Sequence, residues 1–277
     1  DRAQNIWECL CRPGLQPKKT LTFTDTLSGE ILAHVQDNFV HQIKFSIDYE
    51  QFLSNIEKIG ETPLPPYINV PDHTSPEMRE RYQTTYAKEA GSSAAPTAGL
   101  HFTPELDQQL LEMGVTIEEV ILHVGLGTFA PIRENDVRHH KMHSEWFSLD
   151  EKTALRINEA KQAGRRIIAV GTTTVRVLES CVVKATEANE VGQLIAKSGT
   201  TNIFIYPPYH FKCIDGLITN FHLPKSSLLL LVSAFASAPN SDHVFKNFQQ
   251  SIVGKAYQEA IKENYRFFSF GDAMLIQ

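Results

Sequence analysis

A chain of 277 residues, 42% hydrophobic and 21% charged, is long enough to bury a sizeable core and to form two domains, which excludes disorder and fibrous repeats. Its 26 Lys and Arg against 32 Asp and Glu give a formal charge of −6, which excludes a nucleic-acid coat held by bulk positive charge but leaves room for a local basic groove and for its 11 titratable histidines. Cys9, Cys11, Cys181 and Cys213 form no CxxC pair, as in a reduced cytoplasmic protein, and the apolar run 228–232 falls far short of the roughly twenty residues that a membrane span needs.

The chain opens at Asp1 without a Met or a signal-peptide pattern and enters strand-like sequence almost at once, so the natural N-terminus is expected to lie upstream. Residues 6–10, 21–23, 30–35 and 41–47 are short runs rich in β-branched and aromatic side chains. The breaks between them are Arg12-Pro13-Gly14, Ser28-Gly29 and Asp37-Asn38, a pattern that predicts a small antiparallel sheet or barrel. Phe52, Leu53, Ile56 and Ile59 then mark an amphipathic helix over 49–59 that ends at Gly60. Pro63, Pro65 and Pro66 remove backbone donors and hold the chain extended, which places a domain boundary there.

Beyond that boundary, helices are expected over 76–88, over 103–113 with Thr103 as N-cap, over 149–163 closed by Gly164, over 174–188, around 226–236 and over 242–263. Strand-like runs at 115–124, 166–170, 203–206 and 216–219 alternate with them, and 265–274 reads by default as a hydrophobic final strand. Strands separated by helices are the signature of an α/β layer fold.

Polar and glycine-rich turns follow strands in this second region, where α/β folds place ligands. Residues 94–102 make a loop of small residues carrying His101 and Phe102, which suits close approach of a ligand or simply a packed turn with a satisfied histidine. His123 precedes Gly125-Leu126-Gly127, a turn that lacks the third glycine and the helix of a dinucleotide fingerprint, so His123 is either functional or a core histidine. The run Arg138-His139-His140-Lys141-Met142-His143-Ser144-Glu145 fits metal ligation at helical spacing, phosphate contact through Arg138 and Lys141, acid–base work by His143 and Glu145, or a solvated loop.

Residues 167–180 form a buried strand that turns through Gly171 and Thr172-Thr173-Thr174 into a helix, presenting free N–H groups to an anion. N-capping by Thr173 or Thr174 explains the threonines equally well, but not why Arg176 and Glu179 share a face behind the turn. Asn220 and His222 end a strand. Tyr265 to Met274 adds aromatics and an Arg266/Asp272 pair.

Read together, PLPPY (63–67), AAPTAGLHF (94–102), LHVGLGTF (122–129), MHSE (142–145), VGTTTVRVLES (170–180), IFIYP (203–207), TNFHLPKSSLLLLVSAF (219–235) and YRFFSFGDAM (265–274) closely resemble the S-adenosylmethionine:tRNA ribosyltransferase-isomerase (QueA) family of queuosine biosynthesis. The resemblance spans 63–274, with a looser match before it. It implies a mixed α/β, multidomain fold: a small antiparallel β-barrel domain at 1–60 and a large, barrel-like α/β catalytic domain at 61–277. Family members carry a further N-terminal stretch of the α/β domain, which is expected to be missing from this chain.

The implied reaction takes the ribosyl group of S-adenosylmethionine, isomerises it to an epoxycyclopentanediol and attaches it to 7-aminomethyl-7-deazaguanine at the wobble position of a tRNA. Epoxyqueuosine forms, and adenine and methionine leave. Such chemistry needs a base beside the sulfonium, an acid for departing adenine and a holder for the methionine tail, and no metal. His101, His123, His143, Glu145 and His222 are the acid–base candidates, and Thr172, Thr173 and Arg176 the carboxylate binders. Asn220 and Asp272 are placed on ribose hydroxyls, and Tyr67, Phe102 and Phe129 on the adenine or deazaguanine ring. Arg12, Lys18, Lys19, Arg138 and Lys141 would meet the anticodon loop of the tRNA. The expected protein is a cytoplasmic monomer. Two other readings stay open: a metal-dependent hydrolase built on His101, His123, His143 and His222, and a non-catalytic RNA-binding module using the β-barrel as its platform.

Overall fold

The computed structural model describes residues 1–11, 15–36, 40–61, 63–65, 67–68, 75–125, 132, 134, 136–183 and 192–277. Two units, Asp1–Thr62 and Pro63–Gln277, hold separate hydrophobic cores.

In the first unit, β1 (Ile6–Leu10), β2 (Thr20–Thr22), β3 (Ser28–Gln36) and β4 (Val40–Phe45) pair antiparallel in the order β1-β4-β3-β2. Strand alternation buries Ile31, Ile43 and Phe45 on one face. α1 (Tyr49–Ile59) joins that core through Phe52, whose ring centroid lies 4.2 Å from that of Phe45. Asp48 caps the helix by accepting from the Gln51 N–H, and the Gly60 N–H closes it on the Ile56 carbonyl. The small barrel expected from the sequence is not found among the described residues. β1 and β2 are the edges of an open sheet, and a three-residue β2 offers too short a ladder to close it.

The second unit mixes helices with two small sheets. β5 (Ile121–His123), β6 (Glu145–Leu149) and β8 (Lys197–Thr201) are antiparallel in the order β5-β6-β8. β7 (Ile168–Val170) runs parallel to β9 (Gly216–Asn220), which pairs antiparallel with β10 (Ala273–Ile276). The helices are α2 (Pro76–Arg81), α3 (Pro104–Glu112), α4 (Glu151–Gln162), α5 (Thr172–Cys181), α6 (Ser227–Phe235) and α7 (Ile252–Lys262). The barrel-like closure expected for this domain is likewise not found among the described residues, where the strands form two separate sheets.

α5 packs against β5, β6 and β8 of one sheet and β7 of the other, and most of its residues are buried. Polar side chains on a helix enclosed from several sides are costly to leave unpaired, and α5 buries Arg176 and Glu179.

Several elements differ from the sequence reading. β6 begins at Glu145, at the end of a run for which no strand was expected, and β8 (KSGTT) is polar and held by ladder hydrogen bonds with little apolar signal. Residues 203–206 form no strand; Phe204 and Tyr206 instead pack their rings on each other, with centroids 5.0 Å apart. The helix expected from residue 242 starts only at Ile252, where Ser251 caps it by accepting from the Gly254 N–H. Residues 182 and 183 have left the helix expected to reach 188, and the rest of that stretch lies outside the described residues.

Candidate active site

Alternation along β6 turns Glu145, Phe147 and Leu149 inward and leaves Trp146 exposed. From α5, Arg176 meets Glu145: its Nη1 donates to Glu145 Oε2 in a buried ion pair, and Glu145 Oε1 accepts from the Gly125 N–H at 3.0 Å. The other two nitrogens of the guanidinium, Nε and Nη2, are buried with no hydrogen-bond partner. They form one edge of the planar group, whose two parallel N–H vectors match the oxygens of a carboxylate. His140, His143, Phe204 and Leu228 help line the narrow cavity here, whose free volume of about 20 Å³ is room for roughly one water. His140 Nδ1 lies 3.0 Å from Glu134 Oε2, and its ring packs against Phe204.

His123 pairs with Trp146 across the β5–β6 ladder and therefore occupies the opposite face of that sheet from Glu145. Its ring packs on Trp146 with centroids 5.0 Å apart and covers the backbone of Gly91, where an added Cβ would come within 2.6 Å of the imidazole. The structure thus brings His143, Glu145 and Arg176 together and sends His123 elsewhere.

A second polar centre forms where β9 ends. Thr97–His101 is a short 3-10 helix, and the Thr97 hydroxyl donates to Asn220 Oδ1 at 3.3 Å. Asn220 Nδ2 lies 3.1 Å from His101 Nε2 and donates to the Phe268 carbonyl at 3.2 Å. Phe268 has φ of 70°, a left-handed conformation rarely adopted by an aromatic residue. Tyr67 bonds the Ser269 hydroxyl at 2.8 Å and packs on the Phe268 ring, while the buried Tyr82 hydroxyl has no partner. Arg266 clasps Asp272 through its backbone N–H and guanidinium, which holds the Asp272 carboxyl below the usual range. Burial lowers the pKa of His101, with Asp272 acting against that effect and Arg266 with it.

His222 sits two residues further on, its Nε2 2.8 Å from the Thr219 hydroxyl and its backbone N–H donating to the Tyr257 hydroxyl. Burial of its imidazole pushes its pKa down to about 4, so it is neutral near pH 7.

At the start of α5 no threonine side chain caps the helix. Gly171 is the N-cap, with φ of 86°, a conformation that suits glycine, and the Thr174 hydroxyl donates back to the Val170 carbonyl. Thr172 is buried and Thr173 half-buried. The face shared by Arg176 and Glu179 divides between two duties. Arg176 reaches β6, whereas Glu179 accepts from the Tyr209 hydroxyl and the Lys212 and Cys213 N–H groups and so tethers 209–213.

Of the remaining candidates, Phe102 is half-buried, and Lys18, Lys19 and Lys141 are exposed. Arg138 is exposed but bound side-on by Asp136. Arg12 and Phe129 lie outside the described residues. Among the described residues no three His, Cys, Asp or Glu side chains gather as a metal-ligand set. A larger cleft of about 360 Å³, lined by Ser237, Asp242, His243 and Ser251 among others, contains no buried unpartnered polar group among the described residues. Sequence reasoning missed Thr97 and the Phe268 carbonyl. Thr97 lies inside the quoted 94–102 motif and was legible there; a carbonyl carries no sequence signal at all.

A buried guanidinium with an open edge on α5 and, separately, an imidazole and amide cluster at the end of a parallel strand are the polar features of an α/β enzyme. The family model for the queuosine biosynthesis protein matches residues 2–276, and the chain belongs to that family. It is 50% identical over 275 residues to the S-adenosylmethionine:tRNA ribosyltransferase-isomerase of Desulforamulus reducens, a match covering 98% of this chain and 74% of the relative. It is also 50% identical over 279 residues to the protein of the same name from Lachnoclostridium phytofermentans, covering 99% and 70%. A crystal structure of S-adenosylmethionine tRNA ribosyltransferase from Thermotoga maritima aligns with 99% of this chain and 71% of its own, at 34% identity and a TM-score of 0.47.

Proposed function

We propose that this chain is an S-adenosylmethionine:tRNA ribosyltransferase-isomerase, which transfers and isomerises the ribosyl group of S-adenosylmethionine onto 7-aminomethyl-7-deazaguanine at the tRNA wobble position and releases adenine and methionine. The observation that carries the reading is the open Nε/Nη2 edge of buried Arg176. A zwitterionic methionine tail presents a carboxylate, and a guanidinium already desolvated and fixed by Glu145 binds one in two-point geometry at low reorganisation cost. Glu145 is then a positioning residue, because its oxygens are engaged by Arg176 and the Gly125 N–H. His143, on the rim of the same cavity, stands as the acid–base group beside the tail. The narrow cavity has to widen to admit its ligand, as active sites that exclude water do on closing and reopening.

The tRNA is held by local charge and not by net charge, which is −6. Lys18, Lys19 and Lys141 are the exposed cations for that contact, so binding is salt-sensitive and transient. None of the described helices is long and apolar enough to cross a membrane.

The test is mass analysis of an anticodon stem-loop carrying the deazaguanine precursor, incubated with protein and S-adenosylmethionine, with adenine release followed in parallel. A mass gain and equimolar adenine are expected. No gain and no adenine would reject the function, and an Arg176→Lys variant that binds S-adenosylmethionine as the parent does would reject the placement of the tail.

A further inference from the structure

The amide of Asn220 is 3% exposed, and its hydrogen bonds determine one another. A backbone carbonyl only accepts, so the nitrogen of the amide faces the Phe268 oxygen at 3.2 Å and the side chain has no alternative flip. Its oxygen accepts from the Thr97 hydroxyl at 3.3 Å. The second hydrogen of Nδ2 then points at His101 Nε2, 3.1 Å away, and a donor at that distance requires a lone pair on the imidazole nitrogen. The ring proton must therefore sit on Nδ1. Among the described residues Nδ1 makes no hydrogen bond.

The Phe268 carbonyl that starts this chain of constraints is itself held firmly. The Phe268 N–H donates to the Phe221 carbonyl at 3.0 Å, the Gly271 N–H donates to the Phe268 carbonyl at 3.1 Å, and the Asp272 N–H closes the loop on the Arg266 carbonyl at 2.8 Å. A left-handed φ at an aromatic residue persists only where its surroundings determine it, and these three bonds supply that.

We propose that Asn220 locks His101 as the neutral Nδ1–H tautomer, so that His101 serves the transfer reaction by donating a hydrogen bond to an oxygen or ring-nitrogen acceptor of the nucleoside, and not as the base that removes the proton beside the sulfonium. This inference rests on the proposed function and narrows it, because it removes one imidazole from the acid–base candidates. Protonating Nε2 would set two donors against each other at the Asn220 contact, so proton uptake must break that bond. The charged groups facing His101 are Asp272, which favours the protonated ring, and Arg266, which opposes it; they are bound to each other, and burial opposes protonation further.

Nitrogen-15 spectroscopy of histidine-labelled full chain, with His101 assigned by difference from His101→Asn, reads the tautomer directly in the resting protein. A neutral ring protonated on Nδ1 at pH 7 is expected, and a proton on Nε2 overturns the lock. In Asn220→Asp the carboxylate can only accept, so the proton should move to Nε2 and His101 should titrate at higher pH than in the parent; an unchanged tautomer overturns the lock. Kinetics test the role. His101→Asn, which keeps a short N–H donor, should retain much of kcat, whereas His101→Phe should lose roughly 100-fold in kcat with both limbs of the pH profile in place. Loss of a limb in His101→Phe, or equal losses in the two variants, would overturn the donor role. Adenine release by the parent chain tests the function itself, so a correct tautomer without turnover would identify the functional reading as the part that failed.

Discussion

Between α5 and β6 a guanidinium and a carboxylate are buried against each other, whereas at the end of β9 a buried amide meets a half-buried imidazole. The charged centre gains strong directed attraction but pays heavy desolvation, and it keeps unpartnered donors on one edge of Arg176. The neutral centre satisfies the Asn220 amide completely and gains a fixed proton position in return. The charged centre is assembled from nearby segments, Glu145 lying 31 residues from Arg176, whereas the neutral one joins His101 to Asn220 across 119 residues.

The largest expected effect comes from breaking the charged centre. Glu145→Leu leaves a buried guanidinium without its counter-charge and should cost about 3–5 kcal/mol, read by chemical denaturation. The double variant Glu145→Leu/Arg176→Met should recover most of that stability while binding no S-adenosylmethionine by calorimetry. Equal stability of the single and double variants would deny that the pair is an energetic unit.

On the neutral side, His222 makes stability depend on pH. Its folded pKa of about 4 lies below the ordinary histidine value of 6.5, so the unfolded chain binds the extra proton first. Its contribution is complete above pH 6.5, is lost progressively as the pH falls to about 4, and amounts to at most about 3 kcal/mol. Urea titrations at pH 7 and pH 4.5 should show a smaller pH-dependent loss in His222→Gln than in the parent, and identical losses would contradict the assignment.

Tyr209→Phe sharpens the comparison at Glu179, where a buried carboxylate is held by neutral donors alone. Removing the hydroxyl that bonds Oε2 at 2.9 Å should cost about 1–3 kcal/mol by thermal or urea unfolding, less than loss of the counter-charge at Glu145. The smallest effect is expected at Arg138, where Asp136 already occupies the guanidinium at the surface. Arg138→Ala should leave stability unchanged and alter the salt dependence of tRNA binding less than Lys141→Ala, which should lower the slope by about one. A larger change from Arg138 would mean that the Asp136 pair opens on the RNA.

The sequence by itself determined the features set by local chemistry. The helix over 49–59 follows from its apolar spacing and from Gly60, the helix after Thr103 and Pro104 from its cap, and the turn at Gly171 from the only residue type at ease with φ of 86°. The wording of the eight motifs pointed to the family that the comparisons identify. Tertiary structure alone decided which candidates meet. Period-two alternation on β6 and β5 sends Glu145 inward and His123 outward, and that follows only once β6 exists as a strand, which its neighbours' ladder bonds establish. Arg176 and Glu179 share a helical face in any reading, but their different partners come from β6 and from 209–213. The proton on His101 is set by a backbone carbonyl of residue 268, a group identical in every amino acid. Local propensities act over a few residues and are written in side-chain type; contacts that choose a partner, a face or a tautomer act across the fold and are written in geometry.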